Sequence, residues 1–245
     1  ERTEYLLLFG VAEDHASNPL KIGLGQLKER GVKVLSINPV RTGYSAIADE
    51  WVGITPGTDG LLVMALCHEL LRNGRVDLDY LIRYTNAPWL IIQNPGGADD
   101  GLAARDDNGT PLVWDRKRAM AVASDDPDAA PAMKGEVTLA DGRKAVPAFE
   151  LIARRCLDDA YTPEKAAAGT GMDAADIRRI ADELAEAAFE REVVIEQPWT
   201  DSWGRKHDRM IGRPVSMHAM RGISAHSNGF HTCRSIHILQ LLLGS

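Results

Sequence analysis

The sequence predicts an α/β protein with open, mainly parallel sheets and flanking helices. A continuous apolar run at residues 4–10 has the pattern of a strand buried on both faces. A helical pattern and a second apolar run at residues 33–37 complete a βαβ unit. Further helical patterns alternate with short apolar runs along the rest of the chain, as they do in layered α/β folds.

A helix is predicted between these two strands, at residues 20–31. An Asn18-Pro19 pair precedes it and Gly31 ends it, which is the usual asymmetry of helix ends. Because parallel strands end at the same edge of a sheet, the loops that follow residues 10 and 37 are expected to line one crevice.

The next segment opens at a turn, Thr55–Gly60, and continues as a long apolar helix to about residue 74. A short helix is predicted at residues 77–85 and a strand at residues 87–93. The turn therefore stands where an extended segment gives way to a helix.

A Gly-, Asp- and Pro-rich composition follows from residue 94 to residue 146. It predicts a long irregular excursion, with a hairpin turn at residues 140–144. We expect two domains, a dinucleotide-binding-like part at residues 1–58 and a second α/β domain at residues 59–245 that carries the excursion.

The last third of the chain returns to regular patterns. A Thr162-Pro163 pair opens one helix, Asp173 caps the next, and residues 193–197 form a strand. A Gly-bearing loop then leads into an apolar helix within residues 220–245.

The net charge of -7 and the isoelectric point of about 5.5 argue against a nucleic-acid partner. No apolar stretch approaches the roughly 18 residues of a membrane span, so direct membrane insertion is not expected. The chain begins at Glu1 without an initiator Met and stops after an apolar helix at Ser245. We expect both termini to be truncations of a longer protein.

Three cysteines, Cys67, Cys156 and Cys233, are far apart in the sequence. Their spacing matches neither a zinc site nor an iron–sulfur site. We interpret them as small buried hydrophobic residues in a reducing compartment.

Polar residues after the second strand and at the Thr55–Gly60 turn are candidate ligands. Asp59 is either a helix N-cap or a carboxylate that accepts two hydrogen bonds from guanine. Asn38 follows the second strand, where dinucleotide folds often place an acid for the ribose. Arg41 faces either a phosphate or the solvent.

Five of the seven histidines fall into two groups. His68 and His237 lie in apolar helical runs and are typical of partly buried structural residues. His218, His226 and His231 alternate with small polar residues, which favours close approach to a large polar ligand. A three-histidine metal site is the alternative, although the spacing fits no known metal-binding helix.

Several catalytic motifs are absent from the sequence. The first strand is not followed by G-x-G-x-x-G, which argues against NAD binding. Neither G-x-S-x-G nor a Walker loop occurs, which argues against serine hydrolases and P-loop NTPases.

The order of motifs resembles the molybdopterin oxidoreductase family, the relatives of dimethyl sulfoxide reductase. The family shows a strand ending in Asp-Pro-Arg, a small-residue stretch closing on Ala-Asp, then Pro-Gly-Thr-Asp and a long helix. The corresponding residues here are Asn38-Pro39-Val40-Arg41, Ala48-Asp49, Pro56-Gly57-Thr58-Asp59 and the helix around His68. Residues 161–185 and 220–244 match as well, so the resemblance covers nearly the whole chain and implies the fold of domains 1–3 of formate dehydrogenase and dimethyl sulfoxide reductase.

The resemblance implies a bis(molybdopterin guanine dinucleotide) cofactor with molybdenum, bound between two α/β domains. The cofactor-binding residues that it implies are Gly10, Val11 and Ala12 near the nucleotide, Asn38 and Arg41 at the guanosine or phosphates, Gly57, Thr58 and Asp59 at the guanine, and Gly222, His226 and Ser227 toward the pterin, with His226 nearest the metal.

Two departures from the family pattern limit what this chain does alone. Asn38 replaces the family's Asp, which removes a charge-assisted contact. The family's metal ligand and iron–sulfur cysteines precede the first strand, so neither a catalytic residue nor a metal ligand is assigned here. The isolated fragment is expected to be inactive.

Residues 200–237 resemble the branch of the family that acts on sulfur oxyanions and polysulfide, which includes thiosulfate reductases and sulfite dehydrogenases. The resemblance implies a small inorganic substrate and two kinds of partner, a quinone-reactive membrane protein and an iron–sulfur electron-transfer subunit. It places the protein in bacteria, in the cytoplasm or periplasm or peripheral to the inner membrane through its partner subunits.

A non-catalytic relative is the alternative. The large iron–sulfur subunit of respiratory NADH dehydrogenases is similar in fold but has lost the cofactor, and it serves as a structural part and electron conduit. A chain of that kind has no need of a guanine-binding turn.

Overall fold

A computed structural model describes residues 2–11, 20–41, 43–201 and 204–245 of the chain. The strands are β1 (Tyr5–Phe9), β2 (Lys33–Ile37), β3 (Glu50–Val52), β4 (Leu90–Gln93), β5 (Leu112–Asp115), β6 (Met120–Ala123), β7 (Val137–Thr138), β8 (Lys144–Pro147), β9 (Val193–Ile195), β10 (Trp199–Thr200), β11 (Lys206–His207), β12 (Met210–Gly212) and β13 (Val215–Ala219). The helices are α1 (Leu20–Glu29), α2 (Tyr44–Ile47), α3 (Asp59–Arg72), α4 (Leu78–Tyr84), α5 (Ala148–Cys156), α6 (Pro163–Thr170), α7 (Ala174–Phe189), α8 (Arg221–Ser224) and α9 (Gly229–Leu243), with a 3₁₀ turn at Asp159–Tyr161.

The chain divides into two compact units. The first contains Glu1–Asp77, Cys156–Trp199 and His207–Ser245, and the second contains Leu78–Arg155 and Thr200–Lys206. The predicted boundary between residues 58 and 59 lies inside the first unit. The reason is topological, because the early strands share a sheet with β13, which comes from the end of the chain.

A parallel sheet forms the centre of the first unit. Its strand order is β13-β1-β2-β3, and each neighbouring pair is parallel. Leu7 of β1 stands opposite Leu35 of β2 on one side and Met217 of β13 on the other. The predicted α/β fold with a parallel sheet is confirmed, although the sequence pattern does not predict β13 as a strand.

Helices cover both faces of this sheet, which explains its continuous apolar strands. On one face α1 and α2 contribute to a buried cluster of Leu6, Leu8, Val11, Leu24, Val34 and Tyr44. On the other face α7 supplies charged partners. The Tyr5 hydroxyl donates to Glu183 Oε2 (2.7 Å), and Arg179 of α7 pairs with Glu50 of β3.

Helix α3 is the centre of the helical layer and packs against α6, α7 and α9. It carries the buried thiol of Cys67, whose pKa is raised by a hydrogen bond with Cys156 and by burial. The next residue, His68, is also buried, and its Nδ1 lies 3.1 Å from the carbonyl oxygen of Cys156. The predicted burial is confirmed for Cys67, Cys156 and His68, whereas Cys233 is only half-buried and His237 is exposed on α9.

Most of residues 94–146 form turns and irregular segments, but the stretch also carries short antiparallel strands that the composition does not predict. Strands β5 and β6 form a hairpin, and β8 pairs with both β4 and β7. A buried cluster of Leu90, Ile92, Ala104, Leu139 and Ala145 holds the second unit together. The strands are only two to four residues long, too short for their alternation to stand out from the Gly- and Asp-rich turns.

The hairpin turn predicted at residues 140–144 is confirmed. The Leu139 amide donates to the Arg143 carbonyl (2.8 Å), and Gly142 has a φ of 88°. Within the described parts of the chain, no helix combines the length and the apolar character needed to cross a membrane.

Candidate functional site

The loops that follow β1, β2, β3 and β13 leave the parallel sheet at one edge, its carboxyl edge. The predicted site residues that the structure describes lie on these loops, at the start of the helices that they enter, or in the turn between α8 and α9; they are Gly10, Val11, Asn38, Arg41, Gly57, Thr58, Asp59, Gly222, His226 and Ser227. Ala12 lies outside the described residues. The structure thus brings four separate segments of the sequence to one side of the sheet.

The strand order of the sheet reverses at β1, between its neighbours β2 and β13. From β1 the chain continues to β2 and β3 on one side, whereas β13 pairs with β1 on the other side. Ligands of open α/β sheets bind at such a switch point, outside the carboxyl ends of the strands. The glycines that follow the two strands there are Gly10, directly after β1, and Gly222, within the short helix after β13.

Residue 10 must be glycine for two reasons, its backbone conformation and the small space available for a side chain. Its φ of 58° is unfavourable for residues with a side chain, and a Cβ atom there would lie 3.0 Å from Ile223 Cγ2. Gly222 is exposed, and a Cβ atom there would meet the Gly10 carbonyl oxygen at 3.7 Å, an ordinary contact. Gly222 therefore leaves its backbone uncovered at the switch point, while Gly10 lets the Ile223 side chain pack against the end of β1.

Asn38 connects the loops after β1 and β2. Its Nδ2 donates to the Val11 carbonyl (3.2 Å), and its Oδ1 accepts from the Val40 amide (3.2 Å). Its own carbonyl oxygen accepts from Trp51 Nε1 (2.8 Å). A carboxylate could not donate to Val11, so the amide at this position has a structural role that Asp could not fill.

The turn before α3 is held at both ends. The Thr55 amide donates to the carbonyl of Thr170, at the end of α6 (2.8 Å). The Thr58 hydroxyl donates back to the Thr55 carbonyl (2.7 Å). From the other side, Asn228 Nδ2 donates to the Gly57 carbonyl (3.1 Å). The turn is therefore fixed by α6 and by the loop that precedes α9.

Asp59 is the first residue of α3, and its side chain is buried, with 6 % of the residue exposed. Thr58 occupies the N-cap position, so the N-cap interpretation of Asp59 is wrong. Burial raises the pKa of the Asp59 carboxyl, while a bond to its own backbone and the charge of His226 act in the opposite direction. A buried carboxylate with a raised pKa destabilises the fold, so its presence here favours a role in ligand binding.

We expect Asp59→Asn to raise the melting temperature of the ligand-free chain at about pH 7.5. Burial raises the pKa of the Asp59 carboxyl in the folded state. The protonated carboxyl therefore makes its full contribution to folding stability below the unfolded-state pKa of about 4, and that contribution is lost as the pH rises through the folded-state pKa. The gain should therefore be present at neutral pH and absent at about pH 3. Thermal melts at both pH values measure it.

Asp173→Asn is the matched control, because Asp173 is the exposed N-cap of α7 and makes no side-chain capping bond. Its effect should stay within about 0.5 kcal/mol. A loss of stability in Asp59→Asn at neutral pH would contradict the cost that we assign to the buried carboxylate.

Arg41, His226 and Ser227 are exposed at the same edge. The described residues contain no group of three or more His, Cys, Asp or Glu placed to hold a metal ion, so His218, His226 and His231 are not gathered in this way. Two further residues support the site without being predicted from the sequence: Thr170 and Ile223. They make their contacts far along the sequence, and no local pattern signals them.

These features fit a large nucleotide ligand. Exposed glycine backbone at the switch point permits close approach of phosphates or of a ring system. A buried carboxylate at a fixed turn supplies hydrogen-bond acceptors that can select one base. The exposed guanidinium of Arg41 supplies positive charge at the same edge.

The chain is similar to curated proteins whose names refer to sulfite and thiosulfate. It is 44% identical to a sulfite dehydrogenase polypeptide of Allochromatium vinosum, in an alignment that covers 100% of the chain and 26% of that protein. It is 33% identical to the thiosulfate reductase molybdopterin-containing subunit PhsA of Salmonella typhimurium, over 34% of the chain and 11% of that protein. The chain thus spans about a quarter or less of the length of these relatives.

Among solved structures, acetylene hydratase from Pelobacter acetylenicus has a similar fold. Its TM-score is 0.57 at 18% sequence identity, and the match covers 100% of this chain and 22% of that one. The family model "Molybdopterin oxidoreductase" matches residues 1–245. With its parallel sheet, its clustered site residues and a match over its entire length, this chain belongs to the molybdopterin oxidoreductase family.

Proposed function

We propose that this chain is the guanine-dinucleotide-binding part of the catalytic subunit of a molybdenum oxidoreductase. Membership of the family implies a molybdenum–molybdopterin cofactor. The proposal of a guanine dinucleotide depends mainly on one observation, the buried carboxylate of Asp59 in a fixed turn at the carboxyl edge of the sheet. It supports a bis(molybdopterin guanine dinucleotide) form of the cofactor.

Asp59 would recognise guanine through both carboxylate oxygens. Guanine presents N1–H and the exocyclic N2–H side by side, and an ionised carboxylate accepts both hydrogen bonds. Adenine lacks this pair of donors, so the contact distinguishes the two purines. The Thr58 hydroxyl already donates to Thr55 and remains able to accept a hydrogen bond from the base.

The rest of the dinucleotide would follow the backbone at the switch point. Gly10, Val11 and Ala12 follow β1, and Gly222 lies beside Gly10, with its exposed backbone available to the ligand. Asn38 holds the Val11 carbonyl in place rather than pairing with a charged group. Arg41 would contribute its charge to a phosphate.

The reaction that we propose acts on a sulfur oxyanion or polysulfide. The 44% identity to the sulfite dehydrogenase polypeptide over the entire chain supports this substrate class. When bound, the cofactor supplies two-electron transfer chemistry at its metal. Residues of this chain would bind it, orient it and exclude water around its guanine. Electrons would pass through iron–sulfur centres to partner subunits and a quinone, in the bacterial cytoplasm or periplasm.

The test measures metal and GMP in the full-length protein expressed anaerobically. We expect molybdenum, by elemental analysis, together with two guanine nucleotides per metal after acid hydrolysis. Asp59→Asn should weaken retention of the guanine contacting it by about 30-fold or more, because an amide cannot accept both hydrogen bonds and the charge is lost. GMP content after anaerobic gel filtration provides the readout.

Asp173→Asn again serves as the control and should keep the wild-type GMP content. Since Asp59→Asn is expected to leave the fold intact, a lower GMP content in that variant reports on recognition. A folded, matured protein with neither metal nor GMP would overturn the proposal in favour of the non-catalytic relative. Full GMP content in Asp59→Asn would overturn the role of Asp59 alone.

A further inference from the structure

We propose that His226 is a positioning residue for Asp59. Its imidazole packs on Gly57 and supplies the positive charge that keeps the Asp59 carboxylate a double hydrogen-bond acceptor for guanine. This assigns His226 to the guanine side of the site rather than to the metal side. The inference rests on the proposed function, because it concerns how the same carboxylate recognises its base.

The first observation is the contact between the imidazole and the turn. A Cβ atom placed on Gly57 would lie 3.1 Å from His226 Nδ1, 3.5 Å from Cε1 and 3.6 Å from Cγ. The ring therefore occupies the space that any side chain at residue 57 would need. Gly57 also has a φ of 81°, so the turn requires glycine for its backbone as well.

The second observation is that the loop carrying His226 is bonded to the same turn. Asn228 Nδ2 donates to the Gly57 carbonyl (3.1 Å). The His226 carbonyl in turn accepts from the Gly229 amide at the start of α9 (2.9 Å). His226 is thus held over residue 57 by its own backbone and by a neighbouring side chain.

The third observation is electrostatic. Asp59 is buried, and the charge of His226 lowers its pKa and so favours its ionised form against the cost of burial. Among the described residues, His226 is the side chain for which such an effect on Asp59 is found. Covering the site with a base would remove water and strengthen the interaction.

No charged group on the described parts of the other helices packed on α3 contributes to the pKa shift of Asp59. Helix α9 directs the uncharged Thr232 hydroxyl at Gly60. Arg178 of α7 lies 3.8 Å from Glu69 and pairs with Glu164 of α6. Glu69 is about 15 Å along α3 from Asp59, at about 1.5 Å per residue, so these charges do not replace that of His226.

The test compares His226→Gln with His226→Lys in the full-length protein purified anaerobically. Gln removes the charge and keeps a hydrogen-bond donor, whereas Lys keeps the charge without the ring. We expect the cofactor, measured as GMP released by acid hydrolysis of the retained protein, to dissociate about two- to five-fold faster during dialysis in His226→Gln, and at close to the wild-type rate in His226→Lys. His237→Gln, the same change at an exposed position of α9, should behave as the wild type.

The pH profile separates a charge effect from a loss of packing. Without the positive neighbour the pKa of Asp59 rises, so the pH at which half of the cofactor has dissociated on acidification should be higher in His226→Gln than in the wild type. In the Asp59→Asn background, His226→Gln should change neither the rate nor the pH profile. Circular dichroism of each variant verifies the fold.

The outcomes distinguish this inference from the proposed function. If Asp59→Asn loses GMP and His226→Gln does not, the inference about His226 is overturned and the proposed function is supported. If His226→Lys fails as badly as His226→Gln, the charge is not what matters and the inference is overturned. If the wild type contains neither metal nor GMP, both proposals fall.

Discussion

Alanine in place of Gly229 will disrupt the connection between α8 and α9. A Cβ atom at this position would lie 2.2 Å from the Ser224 carbonyl oxygen, 2.5 Å from the carbonyl carbon and 2.7 Å from Cα. All three are backbone atoms, so no rotation of a side chain relieves the overlap. We expect a loss of about 3 kcal/mol or more in the free energy of unfolding, because the loop and the start of α9 must move.

Urea denaturation of the chain, followed by circular dichroism, measures this loss. Gly222→Ala is the matched control, since it makes the same change within α8 and its nearest atom, the Gly10 carbonyl oxygen, is at 3.7 Å. Alanine is also the better helix former, so the control should be as stable as the wild type or slightly more stable. Equal stability of the two variants would contradict the described path of residues 224–229.

Gly229→Ala should also disturb the candidate site. The loop displaced by Gly229→Ala carries His226 and Asn228, which contact Gly57. The turn would then keep its bond to Thr170 but lose its other attachment. In the full-length protein, Gly229→Ala should therefore lower GMP content as well as stability, whereas Asp59→Asn should lower GMP content alone.

The parallel sheet could be predicted because its strands are apolar throughout. A strand buried on both faces, such as β1, needs no tertiary information to be recognised. Placement of the loops at one edge then follows from the direction of parallel strands. Strand β13 escapes prediction because it combines polar and apolar residues, with Ser216 and His218 within five residues.

The contacts that fix the site could not be predicted in the same way. The turn at residues 55–59 depends on Thr170 and Asn228, which are more than a hundred residues away along the chain. Local propensity carries no information about such pairs. Asn38 shows the same limit, because the bond from its amide to the Val11 carbonyl exists only in the folded chain.

The second unit escapes prediction for a different reason. Its strands are short and its turns are rich in Gly and Asp, so composition alone resembles an irregular loop. Buried Asp115 illustrates how such a region is ordered, since its carboxylate accepts from the amides of Lys117 (2.7 Å) and Arg118 (3.2 Å). Hydrogen bonds of this kind order a turn without leaving a hydrophobic period in the sequence.

Phe9→Ala will cost the chain a large part of its stability. Phe9 is the last residue of β1, is fully buried and stands opposite Ile37 on one side and Ala219 on the other. Removal of a buried aromatic ring costs about 3 to 5 kcal/mol through lost burial and the cavity left behind. Since typical domains have only about 5 to 15 kcal/mol in total, the variant should unfold at much lower urea concentration.

Phe230→Ala provides the control, because the same change is made at a residue that is 70 % exposed on α9. Phe230 contributes a contact with the Arg234 guanidinium, so its removal should cost at most about 1 kcal/mol. A comparable loss in both variants would show that Phe9 does not occupy the core beneath the switch point. A large loss for Phe9→Ala alone would establish that the backbone of Gly10, the next residue, rests on a packed ring.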